Sequence, residues 1–358
     1  MDNFEYTANP ARVVFGSGTI KKIPEELARA KVSKPFLLST PQQVGHLDLL
    51  KGILGSDAVA GSFAEATMHT PVEVTERALA QLRASGADCI VSIGGGSTVG
   101  LGKALSVRAG LFHLTVPTTY AGSEVTPILG ETDGGRKTTR ADPAILPRAV
   151  VYDVDLTLTL PAALTATSGV NAIAHAVEAL YARNRNPVIN LLAQEGVRAL
   201  ASALPALAAD PASRAARSEA LYGAWLSGTC LGSVGMSVHH KLCHTLGGSF
   251  GLPHAETHTA VLPHALAYNA PRVPGALAAL AAALPDGDGD AIAGLNALLR
   301  KLNVERSLRA FGMKEEDIDK AADIAVSNPY WNPRPIEREP IRELIRRAWA
   351  GEEARADL

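Results

Sequence analysis

Residues 88–97 read Asp-Cys-Ile-Val-Ser-Ile-Gly-Gly-Gly-Ser, a short apolar run closing on Gly94, Gly95 and Gly96, and the next segment, 97–107, has helical character. A strand that feeds a helix through a glycine turn restricts the chain to alternating βα architecture. The neighbouring sequence repeats that texture. Phe36–Leu38 is a strand candidate. Residues 71–85 form a helical pattern with Val74, Ala78, Leu79 and Leu82 on one face. Leu111–Val116 and Ala149–Tyr152 are further strand candidates. Strands separated by helices predict a parallel sheet with helices on both faces. From Leu160 onward Ala, Leu and Arg dominate, β-branched runs vanish, and PAALTATSGVNAIAHAVEALYA opens a helical region. The reading is an α/β domain over 1–157 followed by an all-α domain over 158–358.

Length and charge fit that division and narrow the partners. The 358 residues suffice for two domains. Thirty-four Lys and Arg against 36 Asp and Glu give a net charge of -2. That leaves no basic footprint for nucleic acid or an anionic membrane. Cys89, Cys230 and Cys243 are too few and too scattered for a disulfide framework or a CxxC zinc site. With neither a signal-peptide pattern nor a long apolar stretch, the expectation is a soluble cytoplasmic protein.

The glycine turn has the chemistry of a phosphate site. Glycines admit a pyrophosphate close to the backbone, and the helix that follows offers free N–H groups and a favourable dipole. The segment is neither G-x-G-x-x-G, because Val99 takes the last position, nor a P-loop, because no GK[ST] follows. A second loop, Pro117-Thr118-Thr119-Tyr120-Ala121-Gly122-Ser123-Glu124, follows the next strand. Small and hydroxylic residues at the carboxyl ends of adjacent strands favour a dinucleotide over a structural turn. The cofactor-binding candidates are Gly94, Gly95, Gly96, Ser97, Thr118, Thr119 and Ser123.

Histidines cluster in the second half. His239, His240, His244, His254, His258 and His264 fall within 26 residues (239–264), and His175 lies upstream. His240 and His244 share a helix face, as do Asn171 and His175, while His239 points about 100° away. One histidine alone is most often a satisfied core or surface residue. Two such pairs, with His254 just after a glycine-rich loop, predict a shared site. Neutral imidazoles bind divalent metals and exchange protons near neutral pH, and both chemistries stay open at this point.

Together these segments resemble the iron-containing alcohol dehydrogenase superfamily. The resemblance runs through GADCIVSIGGGST, VPTTYAGSEVT, VVYDVDLTLTLP, SGVNAIAHAVEALYA and VHHKLCHTLGGSFGLPHAETHTAVLPHALAYN, in order, over about residues 34–270. Asn171, Tyr120 and the tail motif Asn328-Pro329-Tyr330-Trp331-Asn332-Pro333-Arg334-Pro335 resemble its maleylacetate-reducing branch. The resemblance implies a dehydroquinate synthase-like fold: a Rossmann-like domain, a helical domain, and a cleft holding nicotinamide and substrate. A cytoplasmic homodimer is implied too. The family's metal-ligand positions fall on Asn171, His175, His240 and His254. Asn171 replaces the carboxylate, so tight iron or zinc binding is expected to be lost. His244 matches the histidine that faces the nicotinamide. Thr40 stands where strict NAD users carry Asp, so NADH and NADPH are both expected.

The implied activity is NAD(P)H-dependent reduction of the activated C=C bond of maleylacetate to 3-oxoadipate in aromatic-compound catabolism. The expected proton donor is His244 or His254, with His175 and His240 orienting the enolate oxygen. Asn171, Lys137, Arg140, Arg334 and Tyr330 are the substrate-binding candidates, the three cations for the two carboxylates. One rival is an iron- or zinc-dependent alcohol or polyol dehydrogenase using the same residues. The other is a non-catalytic nucleotide sensor, which would have no use for a dense histidine set.

Overall fold

The computed structural model describes residues 3–9 and 11–357, apart from the side chain of Lys137. Among the described residues the strands are β1 (Arg12–Gly16), β2 (Pro35–Leu38), β3 (Gly61–Phe63), β4 (Cys89–Gly94), β5 (Phe112–Pro117), β6 (Ile128–Asp133), β7 (Arg136–Ala141) and β8 (Ala149–Asp153). Six of them form one sheet in the order β1-β8-β5-β4-β2-β3, every neighbouring pair parallel. On one face Phe36, Leu38 and Ile90 pack with Leu79 and Leu82 of the helix Val72–Ser85 and Leu101 and Leu105 of the helix Gly96–Ala109. On the other, Leu37, Val91, Ile93, Leu114 and Val151 pack with Ile23, Leu27, Leu47 and Leu50. Strands covered on both faces read as unbroken apolar runs, which is why β2 and β4 stand out in the sequence.

Four strands fall outside the sequence expectation. β1 is five residues and β3 three, too short for a periodic signal. β6 and β7 pair antiparallel as a separate hairpin of largely polar residues. Gly134 (φ 52°) and Gly135 (φ 79°) close it, supplying the two left-handed residues that a tight hairpin turn requires.

The chain divides into an α/β unit, Ala8–Leu160, and a helical unit comprising Pro161–Leu358 and the first few residues. The division falls after 160, not after 157, because Leu156 still packs on the α/β core and Pro161 opens the next helix. The helical unit contains the helices Ala162–Leu180, Pro187–Ala209, Arg214–Ser233, Val238–Phe250 and His254–Asn269, and the later helices Asp317–Ser327 and Arg338–Ala350. Leu242, Leu246, Val261, Ala265, Ile318, Ile341 and Leu344 form a common core that fixes the helices Val238–Phe250 and His254–Asn269 against the tail helices. Among the described residues no helix is long and apolar enough to cross a membrane.

Candidate active site

The α/β unit gathers its candidate residues along one edge of the sheet. Thr40 follows β2, Gly94–Ser97 follow β4, and Thr118, Thr119 and Ser123 follow β5, so all lie at the carboxyl ends of three adjacent strands. The strand order reverses between β2 and β4, the place where doubly wound sheets receive dinucleotides. Gly94 has φ 150°, and a Cβ there would sit 2.4 Å from Thr98 Oγ1. A Cβ on Gly95 would meet Thr119 Cγ2 at 3.0 Å. Only glycine permits this path. No side chain caps the helix Gly96–Ala109, which leaves its first N–H groups available to a phosphate.

The loop after β5 is held from beneath by a residue that sequence reasoning passed over. Lys103 is fully buried and donates to Ser123 Oγ (3.2 Å), Thr126 Oγ1 (2.9 Å) and the carbonyl of Ile128 (2.8 Å). Burial pushes its pKa down to about 7, opposed by Glu124. Glu124, itself buried and raised by desolvation, accepts from the Tyr152 hydroxyl at 2.7 Å. The available signal was a lysine within GLGKAL, a charge in an apolar stretch of the helix.

In the helical unit three helices bring the imidazoles together. The helix Ala162–Leu180 buries Asn171, His175 and Glu178, spaced i, i+4 and i+7 on one face. The helix Val238–Phe250 contributes His239, His240 and the exposed His244, and the helix His254–Asn269 contributes the exposed His254 and the buried His258. His254 and His258 are a third i,i+4 pair, unremarked in the sequence reading. His258 is the hub: its ring centroid lies 4.3 Å from that of His254, 4.8 Å from His239, 5.0 Å from His240 and 6.4 Å from His244. His175 joins through His240 at 5.3 Å.

Burial keeps the four enclosed rings neutral. Desolvation lowers His240 to about 3 and His239 to about 4, and holds His175 and His258 well below the ordinary histidine range. Glu178 also went unnoticed in the sequence. It accepts from the backbone N–H of Ser237 (2.9 Å) and of His239 (2.8 Å) and from His240 Nδ1 (2.7 Å). Burial raises its pKa, but three donors at a helix start are the surroundings of an ionised carboxylate. His240 therefore keeps its proton on Nδ1, and Nε2 turns inward as a lone pair. Asn171 Oδ1, His175 Nδ1, His240 Nε2 and both nitrogens of His258 are buried with no hydrogen-bond partner. Each such atom costs about 1–3 kcal/mol, so a group of them marks a place built to receive a polar ligand.

The tail motif braces the rim. Asn332 exchanges hydrogen bonds with Asn269 (2.7 and 3.0 Å) and accepts from the Val238 N–H (3.4 Å). Tyr330, 39% exposed, brings its hydroxyl within 3.1 Å of His244 Nδ1. Two cations expected to meet substrate are engaged elsewhere. Arg334 stacks 4.2 Å from the Tyr268 ring centroid and donates to the Tyr268 carbonyl at 2.8 Å, because the motif must be anchored to the helix His254–Asn269. Arg140 lies in the β6–β7 hairpin, 3.9 Å from Glu131, where cross-strand pairing directs it. The side chain of Lys137 lies outside the described part of the structure.

The donor set fits a resident divalent metal poorly. No carboxylate stands at its first position, where Asn171 offers an uncharged oxygen. Among the described residues, the three metal-capable side chains whose donor atoms converge within 4.8 Å are His239, His240 and His258, not His175, His240 and His254. His239 Nε2 also lies 3.1 Å from the His258 carbonyl. The carboxylate behind His240 is the one feature shared with metal-ligating histidines.

Residues 10–154 match the family model described as iron-containing alcohol dehydrogenase, and residues 165–349 match the C-terminal model of the same family. The chain is 54% identical over 351 residues to the maleylacetate reductase of Rhizobium sp. (strain MTP-10005), covering 98% of this chain and 99% of that protein. It is 53% identical to the maleylacetate reductase of Burkholderia cepacia, with the same coverage of each. The crystal structure of maleylacetate reductase from Agrobacterium tumefaciens matches with a TM-score of 0.95 at 54% identity, covering 99% of this chain and 100% of that one. The chain belongs to the iron-containing alcohol dehydrogenase family.

Proposed function

We propose that the chain reduces the carbon–carbon double bond of maleylacetate to 3-oxoadipate with NADH or NADPH, a step in aromatic-compound catabolism, and that it does so without a metal. The activity is carried by full-length relatedness to maleylacetate reductases. The glycine turn Gly94–Gly96, Ser97, Thr118, Thr119, Ser123 and Thr40 would hold the dinucleotide, which supplies hydride when bound. With no carboxylate at Thr40 to repel a 2′-phosphate, both cofactors are accepted.

The rest of the chemistry belongs to side chains. As the alkene gains hydride, negative charge moves onto the conjugated ketone oxygen, which needs N–H donors, and a proton must reach the neighbouring carbon. His240 cannot donate from Nε2 while Glu178 holds its Nδ1 proton, so its role is to accept. The enolate-facing N–H groups are therefore assigned to His175 and His258, each neutral and carrying one proton. This revises the expectation that His240 shares that task. His244 delivers the proton: its Nε2–H goes to the carbon while the Tyr330 hydroxyl passes its own proton to Nδ1, leaving the imidazole neutral and a rim tyrosinate that solvent reprotonates. His254, its ring tilted against that of His258, lines the same site. A ketone-conjugated alkene is already polarised, so imidazole donors replace the Lewis acid that an unactivated alcohol requires.

The test is NAD(P)H oxidation with maleylacetate beside NAD(P)+ reduction with simple primary alcohols and polyols. The expected outcome is stoichiometric 3-oxoadipate from maleylacetate and negligible alcohol oxidation. Alcohol oxidation without maleylacetate turnover would discard the reading.

A further inference from the structure

On the helix Val238–Phe250 His244 neighbours Lys241 at i,i+3 and His240 at i,i+4. The Lys241 ammonium lies 5.7 Å from the centroid of the Tyr330 ring, the same residue whose hydroxyl meets His244 Nδ1 at 3.1 Å. Lys241 thus flanks the exposed rim of the imidazole cluster. It is partly buried, and that burial lowers its pKa. No described carboxylate lies within ion-pair distance of it.

The surroundings sharpen the point. The buried imidazoles beside it are neutral, and the nearby carboxylate, Glu178, is buried and already accepts from Ser237, His239 and His240. Arg334 and Arg140 are engaged with Tyr268 and Glu131. A half-buried ammonium without a counter-ion is costly unless an anion arrives to meet it. Maleylacetate is a dianion.

We propose that Lys241 is the anchor for a substrate carboxylate, holding the keto-diacid at the rim so that its alkene lies against His244. This rests on the maleylacetate reading. A flexible, cation-bearing stem suits a rim position, because it can follow the carboxylate while the imidazoles below stay fixed.

The experiment compares maleylacetate kinetics for the wild type, Lys241→Met, Lys241→Gln and Lys241→Arg, with NADH affinity and thermal melting measured on each. An inactive wild type would defeat the functional reading itself, and the anchor with it. Given an active wild type, the expected result is a KM for maleylacetate raised about 10- to 100-fold in Lys241→Met and Lys241→Gln, more than any fall in kcat. Lys241→Arg should recover most of that loss, and NADH affinity should hold throughout. A KM in Lys241→Met and Lys241→Gln within about twofold of wild type, or a loss confined to kcat that Lys241→Arg does not relieve, would overturn the anchor.

Discussion

Replacing His244 by Ala is expected to lower kcat with maleylacetate by about two to four powers of ten, the usual worth of a positioned general acid. In barrier height that is about 3–5.5 kcal/mol. The prediction concerns chemistry and not folding, because His244 is exposed and its Nδ1 meets the hydroxyl of Tyr330, itself on the rim. Removing the ring opens no core cavity, so the melting temperature and NADH affinity should stay near wild type. KM should change less than kcat, since the interaction forms while the proton moves. Steady-state kinetics over a range of pH provides the check. If kcat stayed within about threefold of wild type, the proton would have to come from elsewhere, His254 being next in line.

Acid should unfold the helical unit before the α/β unit. His175, His239, His240, His258 and His264 all have folded pKa values depressed by burial, His239 and His264 to about 4 and His240 to about 3. An unfolded histidine titrates near pH 6.5, so below that value the unfolded chain binds protons that the folded unit refuses. Stability is therefore fully present above about pH 6.5 and is lost as pH falls toward the folded values. At pH 5 each such histidine costs about 2 kcal/mol, and five together about 10 kcal/mol, comparable with a typical whole-domain stability. The raised carboxyl of Glu178 acts in the opposite sense and offsets part of this. In the α/β unit two histidines are lowered, His113 to about 3 and the half-buried His46. Far-ultraviolet circular dichroism with hydrogen exchange should show cooperative opening of 162–180 and 238–269 with a midpoint near about pH 5. Full protection of those segments at about pH 4 would contradict the neutral-imidazole account.

How far the sequence reveals this molecule depends on where each signal resides. β2, β4, β5 and β8 are legible because burial on both faces makes their residues uniformly apolar, and the glycine turn because no other residue permits its backbone path. The His240–His244 and Asn171–His175 pairs are legible because helical spacing alone sets the shared face. Glu178, His258, Lys103 and Lys241 are not: each acquires meaning from a partner on another element, through a hydrogen bond, a ring contact or the lack of a counter-ion. Arg334 and Arg140 belong with them, since their partners also lie on other elements or another strand. A sequence shows that a cation exists, not that Tyr268 or Glu131 already engages it.

The central claim is that neutral imidazoles, with no coordinated cation, suffice to reduce a polarised alkene. Its most direct test is the maleylacetate assay on protein dialysed against a strong chelator, with metal content measured on the same sample. The account predicts unchanged NADH oxidation and 3-oxoadipate formation with metal far below one ion per chain. Activity that vanishes on chelation and returns with Fe²⁺ or Zn²⁺ would contradict it.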